Sequence, residues 1–384
     1  MKILYDLLCT QPIDGSKFHG GGEYGKAIFE RLIKERKYDI QIDVFFNKKV
    51  YLDDWLINLI NTEKLNVKNI KNEKELNTLL DTEQYSLFYT ALPVNYPNLI
   101  IPKKTKYIGT IHGLRSIEMP YDKIKNKYDK GIKNNLKNIL LSTVLHYDKL
   151  RSFYLNRKIK QIENIVCKLD TVITVSEYSK YSMLYYLKNI ENDKIKVLYT
   201  PQKYVDFNKT EKENKYGNFV LLISADRWIK NAIRAIEALD KLYFEKKLKF
   251  KCVIVGKIPH QCFSKVSCPH MFLQIDYASS EILEQLYRDA KLFIYPTLNE
   301  GFGMPPLEAM KYNTKVTASA VTSVSEILGD SVLYFNPYDI NEIAIKILQS
   351  LDSKEYDGIT RYKKIFEKQE KDQTKLVDLL LLSD

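Results

Sequence analysis

The chain has 384 residues, 45% of them apolar, and a formal net charge of +11. That length exceeds one ordinary core and suits two domains of about 180 residues each, and no apolar run reaches the ~18 residues that a membrane span needs. The opening Met1-Lys-Ile-Leu-Tyr-Asp6 turns polar too soon for a signal peptide, so the expected location is the cytoplasm, and five scattered cysteines (Cys9, Cys167, Cys252, Cys262, Cys268) argue against a disulfide framework.

In the first half, short β-branched or aromatic runs at 2–5, 41–46, 87–90, 107–111 and 171–175 alternate with helical patterns. Continuous apolar runs of this length, each followed by a helix, predict parallel strands covered on both faces. His19-Gly-Gly-Gly22-Glu-Tyr-Gly25 joins the first strand to the first helix, and Gly21 and Gly22 there let backbone amides face a phosphate or an acceptor. His112 stands at the end of the 107–111 run, before Gly113-Leu-Arg-Ser. At that place an imidazole can donate to a sugar hydroxyl or to developing charge, or serve only as a satisfied structural group.

Residues 121–168 hold twelve Lys or Arg against four acids. Such a patch attracts phospholipid, nucleic acid or an acidic substrate, or is simply a solvated helical face in a Lys-rich chain. Within it, Ile132, Leu136, Ile139, Leu140, Val144 and Tyr147 share one helical face bordered by Lys. That stripe either lies in a lipid headgroup layer or packs on the first domain's sheet. No nucleic-acid module is recognisable, so no nucleic-acid partner is expected. Ser176-Glu-Tyr-Ser179 reads as a helix cap.

A run at 196–199 closes the first half, and the charged, aperiodic stretch from Thr200-Pro201 to Gly217 suits a linker. The strand–helix alternation then repeats, with runs at 219–224, 251–256, 271–275, 292–295, 315–318 and 332–335. Two α/β, doubly wound, Rossmann-like domains facing a cleft are the expected architecture. Their expected limits are 1–200 and 201–355, with residues 356–384 as a helix crossing back to the first domain. In Ser224-Ala-Asp-Arg227-Trp-Ile-Lys230-Asn231, Arg227 and Lys230 can both reach an anion at a strand end. His260-x-Cys262 and Cys268-x-His270 offer four soft ligands, but the spacing fits no standard zinc site, and a surface loop is the favoured reading.

The most informative stretch is Tyr295-Pro-Thr-Leu-Asn-Glu300-Gly-Phe-Gly-Met-Pro-Pro-Leu-Glu308-Ala-Met310. A buried strand ends, a glycine turn follows, and Pro305-Pro306 opens a helix whose N-terminus favours a diphosphate. Gly301 and Gly303 allow close backbone approach, and Glu300 and Glu308 can face one ligand from either side of the loop, each accepting from vicinal hydroxyls.

Here the chain resembles glycosyltransferase family 4, retaining enzymes of the two-Rossmann GT-B fold. The family's Glu-x7-Glu motif stands as Glu300-Gly-Phe-Gly-Met-Pro-Pro-Leu-Glu308. The likeness continues through Leu286-Tyr-Arg-Asp-Ala-Lys-Leu-Phe-Ile-Tyr-Pro296 and Thr317-Ala-Ser-Ala-Val-Thr-Ser-Val-Ser-Glu326. It covers most of 217–350 and reaches the first half through a few loops. The resemblance implies a nucleotide-sugar donor, a glycan or lipid-linked acceptor and a role in cell-surface polysaccharide synthesis. It implies that Glu300 contacts donor-sugar hydroxyls, that Glu308 holds the ribose, and that backbone amides at Phe302 and Gly303 bind sugar or phosphate. Arg227 and Lys230 would neutralise the leaving diphosphate with no metal required, and no Asp-x-Asp pair is placed to bind one. The family's strand-end His is usually followed by Asp; Gly113 replaces it here. Rival readings are an epimerase or phosphorylase on the same fold and, from another class, a nucleic-acid binder.

Overall fold

The computed structural model describes residues 1–13, 19–37, 39–128, 131–202 and 214–382, with all side chains there except those of Ile132, Asn135 and Gln261. Most of the expected linker, 203–213, lies outside the described residues. The chain divides into two compact units, one of Met1–Leu114, Asn156–Val205 and Glu367–Asp384, the other of Arg115–Leu155 and Asp206–Phe366.

In the first unit the strands are β1 (Lys2–Asp6), β2 (Gln41–Phe46), β3 (Asn66–Asn69), β4 (Leu87–Thr90), β5 (Lys106–Ile111), β6 (Thr171–Thr174) and β7 (Ile195–Val197). They form one sheet in the order β3-β2-β1-β4-β5-β6-β7, every pairing parallel. The central strands are buried on both faces: Ile3, Leu4, Tyr5, Leu87, Phe88 and Tyr89 are all inaccessible. That two-sided burial is why they read as unbroken apolar runs rather than as an alternation. The edge strand β3, with sequence NVKN and no buried residue, carried no such signal.

The second unit holds β8 (Phe219–Leu222), β9 (Lys251–Val255), β10 (Phe272–Ile275), β11 (Leu292–Tyr295), β12 (Val316–Ser319) and β13 (Leu333–Phe335). Their order is β10-β9-β8-β11-β12-β13, again all parallel. The helix Ala232–Phe244 buries Ala232, Ile233, Ala235, Ile236, Leu239 and Leu242 at three- and four-residue spacing, the stripe of a helix laid on a core. β8 stops two residues short of the expected 219–224 because Ser224 turns into the left-handed region, φ 53°.

One segment departs from the expected domain limits. Residues 115–155 were assigned with 1–200, yet they belong to the second unit. The reason is local: Ile124 joins the second unit's core, Met119 and Tyr128 pack against it, and both oxygens of the Asp122 carboxylate accept from Arg234 at 3.0 Å. The helix Gly358–Leu381 serves both units. Beyond Glu367 its Gln369 donates to the Thr200 carbonyl (2.6 Å), and its buried Asp372 accepts from the Tyr199 amide (3.1 Å).

Candidate active site

In the second sheet, strand order reverses between β8 and β11, so their loops leave in opposite directions and open a crevice at the carboxyl ends. The two stretches singled out from sequence are those two loops. Residues 223–231 follow β8, and residues 296–303 follow β11.

At the centre is an ion pair. Lys230 Nζ donates to Glu300 Oε1 at 2.6 Å and to the Tyr295 hydroxyl at 3.1 Å, with the ammonium 5.1 Å from the Tyr295 ring centre. The Thr297 hydroxyl donates to the same Glu300 oxygen at 2.7 Å. Two donors thus converge on Glu300 Oε1, and the Tyr295 hydroxyl is a further hydrogen-bond partner of the carboxylate. Burial pushes Lys230 below its ordinary value, opposed by Glu300 and reinforced by Arg227. Burial alone would raise the Glu300 carboxyl, but Lys230 and the hydrogen bond from Thr297 outweigh it and hold the group below the usual carboxylate range. Lys230, read from sequence as able to reach an anion at the strand end, already shares its charge with Glu300.

The loop that carries Glu300 is fixed from three sides. The Glu300 amide donates to Thr322 Oγ1 (3.0 Å), and the Ser323 hydroxyl lies 3.1 Å from the Glu300 carbonyl and 3.0 Å from that of Phe302. Asn299 Nδ2 donates to Glu118 Oε2 at 2.7 Å. Asn231 Nδ2 donates to the Pro296 carbonyl (2.9 Å), and Asn231 Oδ1 accepts from Arg234 (2.9 Å), itself paired with Asp122. The strap 115–128 thus braces both halves of the site. Arg115 on it stands within electrostatic reach of Arg227 and Glu300, and burial, then Arg227, pushes its guanidinium down. Arg227 itself is exposed. Arg115 and Arg227 are the cations here without the buried carboxylate bond that Lys230 makes.

Glu308 lies on the helix Met304–Met310, which opens with Pro305 and Pro306, has no side-chain cap and is preceded by Gly303 at φ 106°. Its Oε2 accepts from the buried Tyr287 hydroxyl at 2.9 Å; Oε1 is left for another donor. Phe302 buries its ring, leaving its backbone as the part able to meet a ligand, and Gly301 sits half-buried between Glu300 and that ring.

Left-handed residues gather at this end of the sheet: Ser224, Asn231, Gly256, Gly303 and Thr322 all have positive φ in loops that follow its strands. Strained backbone concentrates where a site is shaped. Gly256, which the sequence reading passed over except as a strand end, explains the Arg227 loop. A Cβ there would sit 2.6 Å from the Ala225 amide nitrogen and 2.8 Å from Asp226 Oδ1, at φ 110°. Gly256→Ala is expected to cost about 1–3 kcal/mol and to displace the 224–227 turn. Thermal denaturation together with nucleoside diphosphate titration checks this, and wild-type values in both would contradict it.

In the first unit, His112 follows β5. Its Nε2 lies 3.0 Å from the Ala91 carbonyl, so Nε2 carries the proton and Nδ1 the lone pair. The Tyr24 ring meets it edge-on at 4.8 Å. Burial lowers its pKa from 6.5 to about 4. Neutral, His112 donates through Nε2 to Ala91 and keeps a lone pair on Nδ1; of the two readings from sequence, donor to a ligand or satisfied structural group, the donor's proton is already spent on the backbone. The sign of its linkage is fixed: between pH 6.5 and 4 the unfolded chain binds a proton that the folded chain refuses. Stability is therefore full above 6.5 and falls as pH drops toward 4. Melting temperatures measured from pH 7 to 5 should fall less steeply in His112→Gln than in the parent; equal slopes would contradict this.

The glycine loop also differs from expectation. The Gly22 amide donates to His19 Nδ1 at 3.1 Å, capping the helix Gly20–Glu35. A Cβ on Gly22 would lie 2.8 Å from His19 Nε2, and one on Gly21 would lie 2.7 Å from the end of the Leu92 side chain. Gly22 thus makes room for the capping imidazole and spends its amide there. Among the described residues no three His, Cys, Asp or Glu side chains converge as metal ligands, and the short turn His260–Cys262 leaves His260 exposed while Cys262 joins the second unit's core. Sequence reasoning missed Thr297, Tyr295, Thr322, Ser323 and Glu118. Tyr295 and Thr297 stand inside the stretch 295–310, and Thr322 and Ser323 inside 317–326, but hydroxyls in loops are too common to single out; Glu118 carried no signal.

Residues 205–370 match the family of glycosyl transferases group 1. The chain is 31% identical over 142 residues to an O-antigen chain mannosyltransferase B of Escherichia coli, covering 35% of this chain and 37% of the relative. It is 30% identical over 204 residues to an O-antigen chain mannosyltransferase, RfbU, of Salmonella typhimurium, covering 50% and 53%. The chain thus spans about half or less of the length of the relatives it matches. In structure it resembles Anabaena HepE in complex with UDP-glucose, with a TM-score of 0.65, 15% identity, and 99% and 100% of the two chains covered. Both units together therefore share the GT-B glycosyltransferase fold, and residues 205–370 carry the group 1 glycosyltransferase pattern.

Proposed function

We propose that the protein is a glycosyltransferase that moves a hexose from a nucleotide sugar to a hydroxyl of a glycan or lipid-linked acceptor in polysaccharide synthesis, with retention at the anomeric carbon. The observation that carries this is the buried Lys230–Glu300 pair, at the strand-order reversal of the second sheet, in the stretch matched to the family. Mannose is the first sugar to test, because O-antigen mannosyltransferases are among the relatives.

In this reading the ribose sits against Glu308 Oε1, and the departing diphosphate is met by Arg227, Arg115 and Lys230. These are side chains of the chain itself, and the proposal assigns no role to a metal. Donor binding draws Lys230 toward the phosphates, and Glu300 Oε2 accepts from sugar hydroxyls beside the reacting carbon. Glu300 orients the donor through these bonds, and the acceptor hydroxyl attacks on the face the diphosphate leaves, its proton passing to the departing phosphate.

A thermal-shift screen of nucleotide sugars with and without acceptor tests the reading. A true donor at 100 times its Kd adds about 2.7 kcal/mol to stability. No shift with any nucleotide sugar or nucleoside diphosphate would overturn it. Release of a sugar phosphate on adding inorganic phosphate would instead make the protein a phosphorylase. Glu308→Gln replaces a charge-assisted bond to ribose with a neutral one and is expected to weaken nucleotide affinity by about 1–2 kcal/mol, roughly tenfold. Calorimetric titration checks it, and an unchanged Kd would remove Glu308 from the site.

A further inference from the structure

The helices Ile132–His146 and Asp148–Val166 cover part of their apolar surface, with Ile165 and Val166 buried and Leu141, Leu145, Leu155 and Ile159 half-buried, yet leave a second apolar stripe in the open. On the first, Asn138 is buried, 2% exposed, while Leu136, Ile139 and Leu140 on the opposite face are 60%, 57% and 65% exposed. The exposed apolar run continues past the junction through Tyr147, Leu150 and Phe153, the last 72% exposed. A helix that only covered a core would turn these side chains inward.

The charges around the stripe are of one sign. Residues 132–160 hold seven Lys or Arg (Lys133, Lys137, Lys149, Arg151, Arg157, Lys158, Lys160) against one acid, Asp148. At 100° per residue, Lys133 and Lys137 border Leu136 and Leu140, while Lys149, Arg157 and Lys160 surround Phe153. Farther upstream the basic residues are engaged otherwise: Lys127 pairs with Glu237 at 3.3 Å, and Lys125 lies over the Trp228 ring.

We infer that residues 132–160 dock on an anionic phospholipid bilayer, the exposed leucine, isoleucine and phenylalanine side chains entering the headgroup–acyl boundary and the flanking Lys and Arg meeting lipid phosphates. Protein interfaces are depleted in Lys around their apolar centres, whereas a cationic border on an apolar stripe suits a surface of uniform negative charge. No described helix is long and apolar enough to cross a membrane, so the contact lies in the interface. The inference is independent of the sugar-transfer reading and is tested without turnover.

The full chain is co-sedimented with phosphatidylglycerol–phosphatidylcholine vesicles and with phosphatidylcholine vesicles at low salt. Binding to the first only is expected. Each of Lys133→Gln, Lys137→Gln and Lys149→Gln should lower the partition coefficient about fivefold. The triple change Leu136→Ser, Leu140→Ser and Phe153→Ser should abolish binding, with an unchanged melting temperature showing that the fold survives. Equal binding to both vesicle types, or none to either, would overturn the inference. So would a dimer in solution that the triple change converts to monomer, which would give the stripe to a second copy of the chain.

Discussion

Lys230→Met is expected to destabilise the second unit by about 3–5 kcal/mol, the cost of leaving a buried carboxylate without its cation. Lys230 and Glu300 are only 8% and 16% exposed at their side chains. Removing the ammonium leaves Glu300 with the Thr297 and Tyr295 hydroxyls, neutral donors that cannot balance the charge. For a unit of this size the loss appears as a fall of about 10 °C in melting temperature. Adding Glu300→Gln removes the stranded charge, so the double variant should recover most of the stability while remaining inactive. Recovery in stability without recovery in function separates the structural part of this pair from the chemical part. If Lys230→Met melts with the parent, the pair is not closed in solution as it is in the structure.

The parallel strands of both sheets were legible because burial on two faces writes itself as unbroken apolar runs such as Leu292-Phe-Ile-Tyr295. β3 was not, because an exposed edge strand needs no apolar residue. The Glu300 and Arg227 loops were legible because Gly-x-Gly before Pro-Pro, and Arg-x-x-Lys after a strand, constrain backbone and charge together. What stayed hidden were relations between distant residues. Nothing local in the sequence couples Glu118 to Asn299, 181 positions apart, or Asp122 to Arg234. The assignment of 115–155 to the second unit follows from such contacts. Nor does a histidine's sequence context reveal which nitrogen holds its proton, which is why His112 was read as a donor. The apolar stripe of 132–147 was visible, but its direction was not, since amphipathic spacing is the same whether the face meets a core or a bilayer.

Glu300→Gln changes one charge at the point the account rests on. The amide keeps an oxygen for the Thr297 and Lys230 hydrogen bonds but frees the Lys230 charge. Nucleoside diphosphate, whose phosphates then have Lys230 to themselves, should bind the variant as tightly as the parent or more tightly. Transfer should fall by at least about a hundredfold, since a charged acceptor for the donor-sugar hydroxyls is lost at the reacting carbon. The deciding measurement is the pair of values for this one variant: the rate of sugar transfer and the Kd for nucleoside diphosphate. Transfer lost with affinity kept is the predicted result; transfer within about threefold of the parent would contradict the assignment of Glu300 and, with it, the donor site.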